Sequence, residues 1–243
     1  MAASRFPGKV LADICGRPML EWLLERVASV NSIDQIVLAT TDQGADNQLA
    51  AWASTHKRVA ACFRGSEWDV LDRVHRAAVN SAADLVVRVT ADDPLKDPGV
   101  IRHAIELCQA QPALDYCSNT LRPSYPEGLD IEVFRFAALD RAHREATQCS
   151  EREHVTPYIW KNPQIFRIQQ FSSARDLSLW RWTVDKPSDL EFVRAIFSHF
   201  RDRPLVPYQD IVAYIDMHPE LVEINSGTVR NEGYLKSVKQ ESL

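Results

Sequence analysis

Between residues 35 and 110 the chain alternates short apolar runs with amphipathic stretches, and this alternation restricts the fold more than any other feature. "QIVLAT" (35–40), "VAACF" (59–63) and "DLVVRVT" (84–90) read as strands rich in β-branched and apolar residues. "DNQLAAWAS" (46–54), "WDVLDRVHRAAVN" (68–80) and "PGVIRHAIELCQ" (98–109) read as helices; the second places Val70, Leu71, Val74, Ala77 and Ala78 at helical spacing. Further upstream, Pro18 can open a helix carrying the stripe Leu20, Leu23, Leu24 and Val27. Strand and helix at this pitch predict an α/β fold whose mostly parallel sheet is covered on both faces. Ligands of such sheets bind beyond the carboxyl ends of the strands. Segments 40–42, 64–66 and 90–94 should therefore share one rim.

The second half is less regular. "DYCSN", "LDIEVFRF" and "FRIQQF" read as strands, with a helix over 136–146, and "RWTVD" (181–185) reads as the end of another strand. "PSDLEFVRAIFSHF" and "YQDIVAYIDM" are amphipathic helices, the latter stopped by Pro219. No repeat, low-complexity stretch or linker divides the 243 residues, so residues 1–243 read as one domain.

Chemistry concentrates where strands should end. Asp92 and Asp93 follow "VVRVT", and two adjacent carboxylates there need a cation or hydrogen bonds. Oxygen-only ligands suit Mg²⁺, which takes one or two carboxylates plus substrate phosphates. We read Asp92 as a metal ligand and Asp97 as the cap of the following helix. A second strand-end acid recurs at Asp185, while Asp189 reads as a first-turn residue answering the helix dipole. Near the N-terminus, Arg5 and Lys9 flank a Gly/Pro turn that can present two cations and free N–H groups to a polyphosphate. Taken alone, "RFPGK" reads more readily as an exposed basic tail, and Arg152, Glu153 and His154 are equally a surface cluster.

A net charge of −5 argues against a nucleic-acid or membrane-surface binder. Five scattered cysteines without metal spacing imply reduced thiols in a cytoplasmic protein, and no apolar run is long enough to span a bilayer. Nothing resembles a covalent nucleophile beside a base.

The segments "SRFPGKVL", "ATTD", "FRGSEWDVLDR", "VVRVTADDPL", "DYCSNTL", "YPEGLDIEVF", "REHVTPYIW", "RWTVDKPSDLEFV" and "RNEGYLKS", in this order, are similar to the CMP-sugar synthetase branch of the nucleotide-diphospho-sugar transferases. Within it they resemble the spore-coat polysaccharide type cytidylyltransferases, relatives of the CMP-Kdo and CMP-sialate synthetases. The resemblance implies a single-domain, Rossmann-like mixed sheet, mostly parallel, with helices on both faces and the N-terminal strand missing. It implies transfer of CMP from CTP to an acidic sugar or related acceptor, with release of pyrophosphate and with Mg²⁺, in surface polysaccharide biosynthesis. Carried over, Lys9, Asp92 and Asp185 are the catalytic set, and the last two hold the metal. Arg5, Gly8, Lys9, Arg64, Gly65, Ser66 and Thr90 would line the nucleotide, and Glu153, His154 and Arg181 the acceptor. A homodimer is implied too, its contacts and acceptor side within about 115–180. A glycosyltransferase on the same fold and a non-catalytic nucleotide-binding relic are the alternatives.

One departure stands out. The family pattern, of the type "IIQARMxSxRxPGK", has an apolar strand and an arginine ahead of the loop. Here Met1 stands where the motif methionine would be and Ala3 replaces the motif serine. The expectation is a sheet lacking that first strand, with weakened stability and CTP binding.

Overall fold

The computed structural model describes Phe6 and residues 8–241. Arg5, and with it the expected lack of a strand ahead of the loop, lies outside those residues. The chain enters through a 3-10 turn at Lys9–Leu11 and a hairpin of β1 (Asp13–Ile14) and β2 (Arg17–Pro18). Its two central residues, Cys15 and Gly16, have φ of 51° and 84°, the left-handed pair that a tight two-residue hairpin requires. Pro18 ends β2 and caps α1 (Met19–Ala28), one position before the helix proper.

The alternation read from the sequence then follows. β3 (Val37–Thr41), α2 (Asn47–Thr55), β4 (Ala61–Gly65), α3 (Val70–Asn80), β5 (Leu85–Arg88) and α4 (Pro98–Ala110) succeed one another. β3 and β4 pair in parallel, Val37 opposite Ala61 through Thr41 opposite Gly65. The second half supplies β6 (Tyr116–Ser118), β7 (Glu132–Arg135), α5 (Phe136–Glu145), α6 (Cys149–His154), α7 (Pro157–Trp160) and β8 (Ile168–Gln170). After these come α8 (Pro187–His199), α9 (Tyr208–Met217), α10 (Glu220–Glu223) and α11 (Glu232–Glu241), the last two unforeseen in the sequence.

Two expectations need correction. The sheet is mixed, as the resemblance implies, but it is not mostly parallel: the order is β5-β7-β6-β8, with β7 antiparallel to both neighbours and β6 parallel to β8. No helix lies between β6 and β7, and only a crossover could have made that pair parallel. Among the described residues β3 pairs with β4 alone and β5 with β7 alone, so each keeps an edge without a strand partner. The segment 181–185 is also not a strand. It makes one parallel bridge, Arg181 to Glu127, and is otherwise held extended by bonds to two loops.

Helices do cover both faces, and β6 and β7 show why. Their side chains alternate with period two. Cys117 and Val133 join a core with α1, α4, α8 and α9, whereas Tyr116 and Phe134 join a second with α3, α5, α7 and Val155. All four side chains are fully buried, so β7 is the central strand on which the site is mounted. The five cysteines are unpaired thiols, and no described helix is long and apolar enough to cross a membrane.

Candidate active site

Beyond β5 the chain turns at once, because Thr90 donates its hydroxyl to Asp93 at 2.7 Å and the Asp93 amide returns to the Thr90 carbonyl. Asp93 is buried against Lys96, whose ammonium lies 2.7 Å from the carboxylate and also donates to the Asp130 carbonyl at 2.6 Å. Burial pushes the Asp93 carboxyl up, and Lys96 opposes it. Asp93 is thus the internal brace of the turn, which leaves Asp92 for the surface of the cleft. Asp97 caps α4 through the Val100 amide, as expected, and its other oxygen accepts the Tyr208 amide at the start of α9.

Asp185 arrives at Asp92 by a main-chain staple. The Val184 amide donates to the Asp92 carbonyl at 2.9 Å, and the Trp182 amide donates to the Glu127 carbonyl at 2.6 Å. Gly128 permits that approach. Its φ is 109°, and a Cβ there would stand 2.7 Å from the Thr183 nitrogen and the Trp182 carbonyl carbon. Asp189, fully buried in the first turn of α8, accepts the Asp185 and Lys186 amides at 2.8 and 2.9 Å and so fixes the loop.

The two acids then meet one cation. Lys9 Nζ lies 2.8 Å from Asp92 Oδ2 and 2.7 Å from Asp185 Oδ1, and also donates to the Val184 carbonyl at 2.7 Å. Gly8, at φ 75°, turns the chain into this position. Burial alone would depress Lys9, but Asp92 and Asp185 outweigh it and hold the ammonium above its usual range. Burial would likewise raise Asp185, yet Lys9 and Arg181 bring its carboxyl below the ordinary value. Arg181 is buried and donates to Asp189 at 3.0 Å, to Asp185 at 2.7 Å and to Glu127. Burial works against its charge, but Glu127 and Asp189 keep it firmly protonated.

These groups open onto a cavity of about 640 Å³. Thr90, Asp92, Asp185, Arg181 and His154 line it, and Lys9 sits at its edge through the two acids. His154 packs edge-on to Tyr234 and faces Ser237 at 3.1 Å, and burial lowers its pKa, favouring the neutral ring. Glu153 does not line the cavity; its carboxylate accepts from Ser237 on α11. Arg64, Gly65 and Ser66 also stand apart. Arg64 donates to the Thr41 and Gln43 carbonyls, Gly65 accepts the Asp42 amide, and Ser66 accepts the Asp69 amide. They bind the β3 and β4 ends together on the same rim.

Several lining residues escaped the sequence reading. Arg88 and Glu132 pair directly across β5 and β7, and Glu132 also accepts from Tyr116 and Thr156. Opposite charges at the ends of two apolar strands, Arg88 of β5 and Glu132 of β7, were the available signal. Glu127 and Asp130 come from the loop before β7, and Trp160 and Tyr234 from α7 and α11; their convergence has no local pattern.

The donor set fits a divalent ion. Two carboxylates from separate segments already share one positive centre, and hard oxygen donors suit Mg²⁺ completed by phosphates. Among the described residues no cluster of three or more acidic, histidine or cysteine side chains forms a metal cage.

Comparison with known proteins matches residues 1–220 to the cytidylyltransferase family model. An uncharacterized protein of Methanocaldococcus jannaschii is 34% identical over 234 residues, covering 96% of this chain and 93% of that one. The spore coat polysaccharide biosynthesis protein SpsF of Bacillus subtilis is 29% identical over 227 residues, covering 90% and 92%. Among solved structures, a cytidylyltransferase from Leptospira borgpetersenii serovar Hardjo-bovis superposes with a TM-score of 0.87 at 27% identity, over 94% of this chain and 95% of that one.

Proposed function

The chain belongs to the cytidylyltransferase family, and from that premise we propose that it transfers CMP from CTP to a hydroxyl of a sugar or related acceptor. The acceptor oxygen bonds to the α-phosphorus, the bond from that phosphorus to the β-phosphate oxygen breaks, pyrophosphate leaves, and the hydroxyl proton passes to solvent. Such a reaction asks a protein for orientation and charge, not for a covalent nucleophile. The convergence of Asp92 and Asp185 on one cation carries this reading.

In it, Asp92 and Asp185 hold Mg²⁺, which when bound neutralises phosphate oxygens. Lys9, presented by Gly8, is the phosphate-side cation. Thr90 and Asp93 hold Asp92 at the end of β5, and Arg181 with Asp189 holds Asp185. Arg64, Gly65 and Ser66 form the rim beside the nucleotide. His154 and Arg181 lie on the acceptor side, and Glu153 acts there only through its hold on α11.

The likeness to SpsF supports a role in surface polysaccharide biosynthesis. Free thiols, two of them buried, support the reducing cytoplasm. Leu179, 94% exposed at the end of the segment read as a dimer contact, supports a homodimer. The test is pyrophosphate release from CTP, UTP, GTP and ATP across a panel of sugars. CTP should exceed the others at least tenfold and EDTA should abolish the signal; release from no nucleotide, or release indifferent to EDTA, contradicts the reading.

A further inference from the structure

We infer that the segment from Thr228 to Tyr234 decides which acceptor the protein takes: Gly233 and Asn231 touch the acceptor, and Arg230 holds them in place. The inference rests on the cytidylyltransferase reading and names the part of that site which selects the acceptor. The family match ends at residue 220, before this segment begins. Even so, Thr228, Val229, Asn231, Glu232, Gly233 and Tyr234 all line the cavity. Gly233 carries the argument. It lies in the first turn of α11, and its φ is outside the left-handed region, so the backbone there does not call for glycine. Glycine is also a poorer helix former than alanine. Among the described residues a Cβ here would meet one atom from elsewhere in the chain, His154 Cε1 at 3.9 Å, an ordinary contact. What the missing side chain leaves is open cavity in front of His154.

Asn231 supplies the polar contact. Its φ is 55°, a left-handed value that asparagine tolerates better than most residues. Its backbone amide donates to Glu127 Oε1 at 3.1 Å, while its side-chain carboxamide has no partner among the described residues. A carboxamide both donates and accepts, which suits the hydroxyls of a sugar. Tyr234 completes the wall, edge-on to His154 at 5.3 Å and inclined at 68° to Trp160 at 5.7 Å. Arg230 stands behind it. One terminal nitrogen donates to the Tyr125 and Ser178 carbonyls at 2.9 and 3.4 Å and the other pairs with Asp130, while Nε is buried without a partner among the described residues. Upstream, the buried Asn225 donates to the Arg181 carbonyl at 2.9 Å and to Asp189 at 3.2 Å, and downstream Ser237 donates to Glu153 at 2.7 Å. The segment is therefore pinned on both sides, with Arg230 gripping its middle.

The experiment pairs pyrophosphate release with titration calorimetry, both on the full chain with Mg²⁺, the latter with a non-hydrolysable CTP analogue. The sugars are Kdo, N-acetylneuraminate, D-glucuronate and N-acetyl-D-glucosamine. For the sugar with the highest kcat/KM, Gly233→Leu and Asn231→Ala should each raise the sugar KM at least about tenfold. They should change kcat and the CTP KM by less than about threefold, the mark of lost acceptor binding alone. Gly233→Leu should melt no lower than wild type, which separates filling the cavity from unfolding the chain. Arg230→Met should raise the same sugar KM, and Arg230→Lys should restore part of it. An unchanged sugar KM in Gly233→Leu or Asn231→Ala overturns the inference and leaves the cytidylyltransferase reading standing, as does a fall in kcat together with lost CTP binding. Sugar binding that both variants weaken tenfold, without pyrophosphate release from any of the four, would do the reverse. A wild-type chain that binds none of the four sugars overturns the inference.

Discussion

The two sides of the cleft, proposed above to meet phosphate and acceptor, are built differently. On the phosphate side, Lys9, Thr90 and Asp92 sit at turns immediately beyond or before regular elements, and Asp185 reaches them through one main-chain bond to Asp92. On the acceptor side, Arg88, Glu127, Asp130, Glu132, Trp160 and Tyr234 come from two strands, a loop and two helices, and touch only in the folded chain. On the proposed reading the first arrangement places charge to meet phosphate, and the second encloses the acceptor. Substitutions on the first side should therefore strike turnover, and those on the second binding of the acceptor.

The largest effect belongs to the acids. Asp92→Asn and Asp185→Asn should each lower pyrophosphate release by about 10³-fold or more, on the scale of losing a dominant electrostatic group, with a folded chain whose CTP-free melting temperature falls because Lys9 loses one of its two carboxylates. A loss below tenfold in either would erase the contrast between the two sides. Gly128→Ala, where the two sides meet, should cost about 2–4 kcal/mol in urea unfolding, from strained φ and a close contact. An unchanged unfolding midpoint would mean that the 127–128 and 182–183 segments do not approach as closely as described.

Lys9→Met should reduce kcat/KM for CTP by about 10²-fold, within the range of a single removed charge contact, and should make thermal stability more responsive to added Mg²⁺ than in wild type. Arg64→Ala, on the same rim but turned onto the Thr41 and Gln43 carbonyls, should change kcat by less than about threefold. A large Arg64 effect would extend the phosphate side to the end of β4.

The smallest effect tests the tie between the halves. Asp69 caps α3 through the Asp72 amide and binds Arg152 of α6 at 2.5 to 3.1 Å. Burial would raise its carboxyl, but Arg152 and the Asp72 amide bring it below the usual value. A depressed folded pKa stabilises above the unfolded value, about 3.9, and the contribution is lost as pH falls through the folded value. Asp69→Asn should thus cost about 0.5–1 kcal/mol at pH 7, a modest value for a part-exposed pair. The difference from wild type should shrink below about pH 4. A gap independent of pH would assign the effect to capping alone.

The same contrast explains what could be read in advance. β3, β4 and β5 announce themselves because apolar periodicity is local, and Asp92 and Asp185 because acids beyond apolar runs need a reason. The mixed sheet was hidden: β7 slots between β5 and β6, and pairing order leaves no local trace. Segment 181–185 imitates a strand because Trp182 and Val184 are buried, yet its partners are loops. Lys96 and Asp189 look like ordinary helix-flanking charges until Asp93 and Arg181 are seen against them.

The central claim is that Asp92 and Asp185 act on one cation, and a double-mutant cycle in Mg²⁺-dependent pyrophosphate release tests it most directly. If the two serve a single centre, Asp92→Asn/Asp185→Asn loses no more activity than the worse single variant. Losses that multiply, as for independent sites, would contradict it.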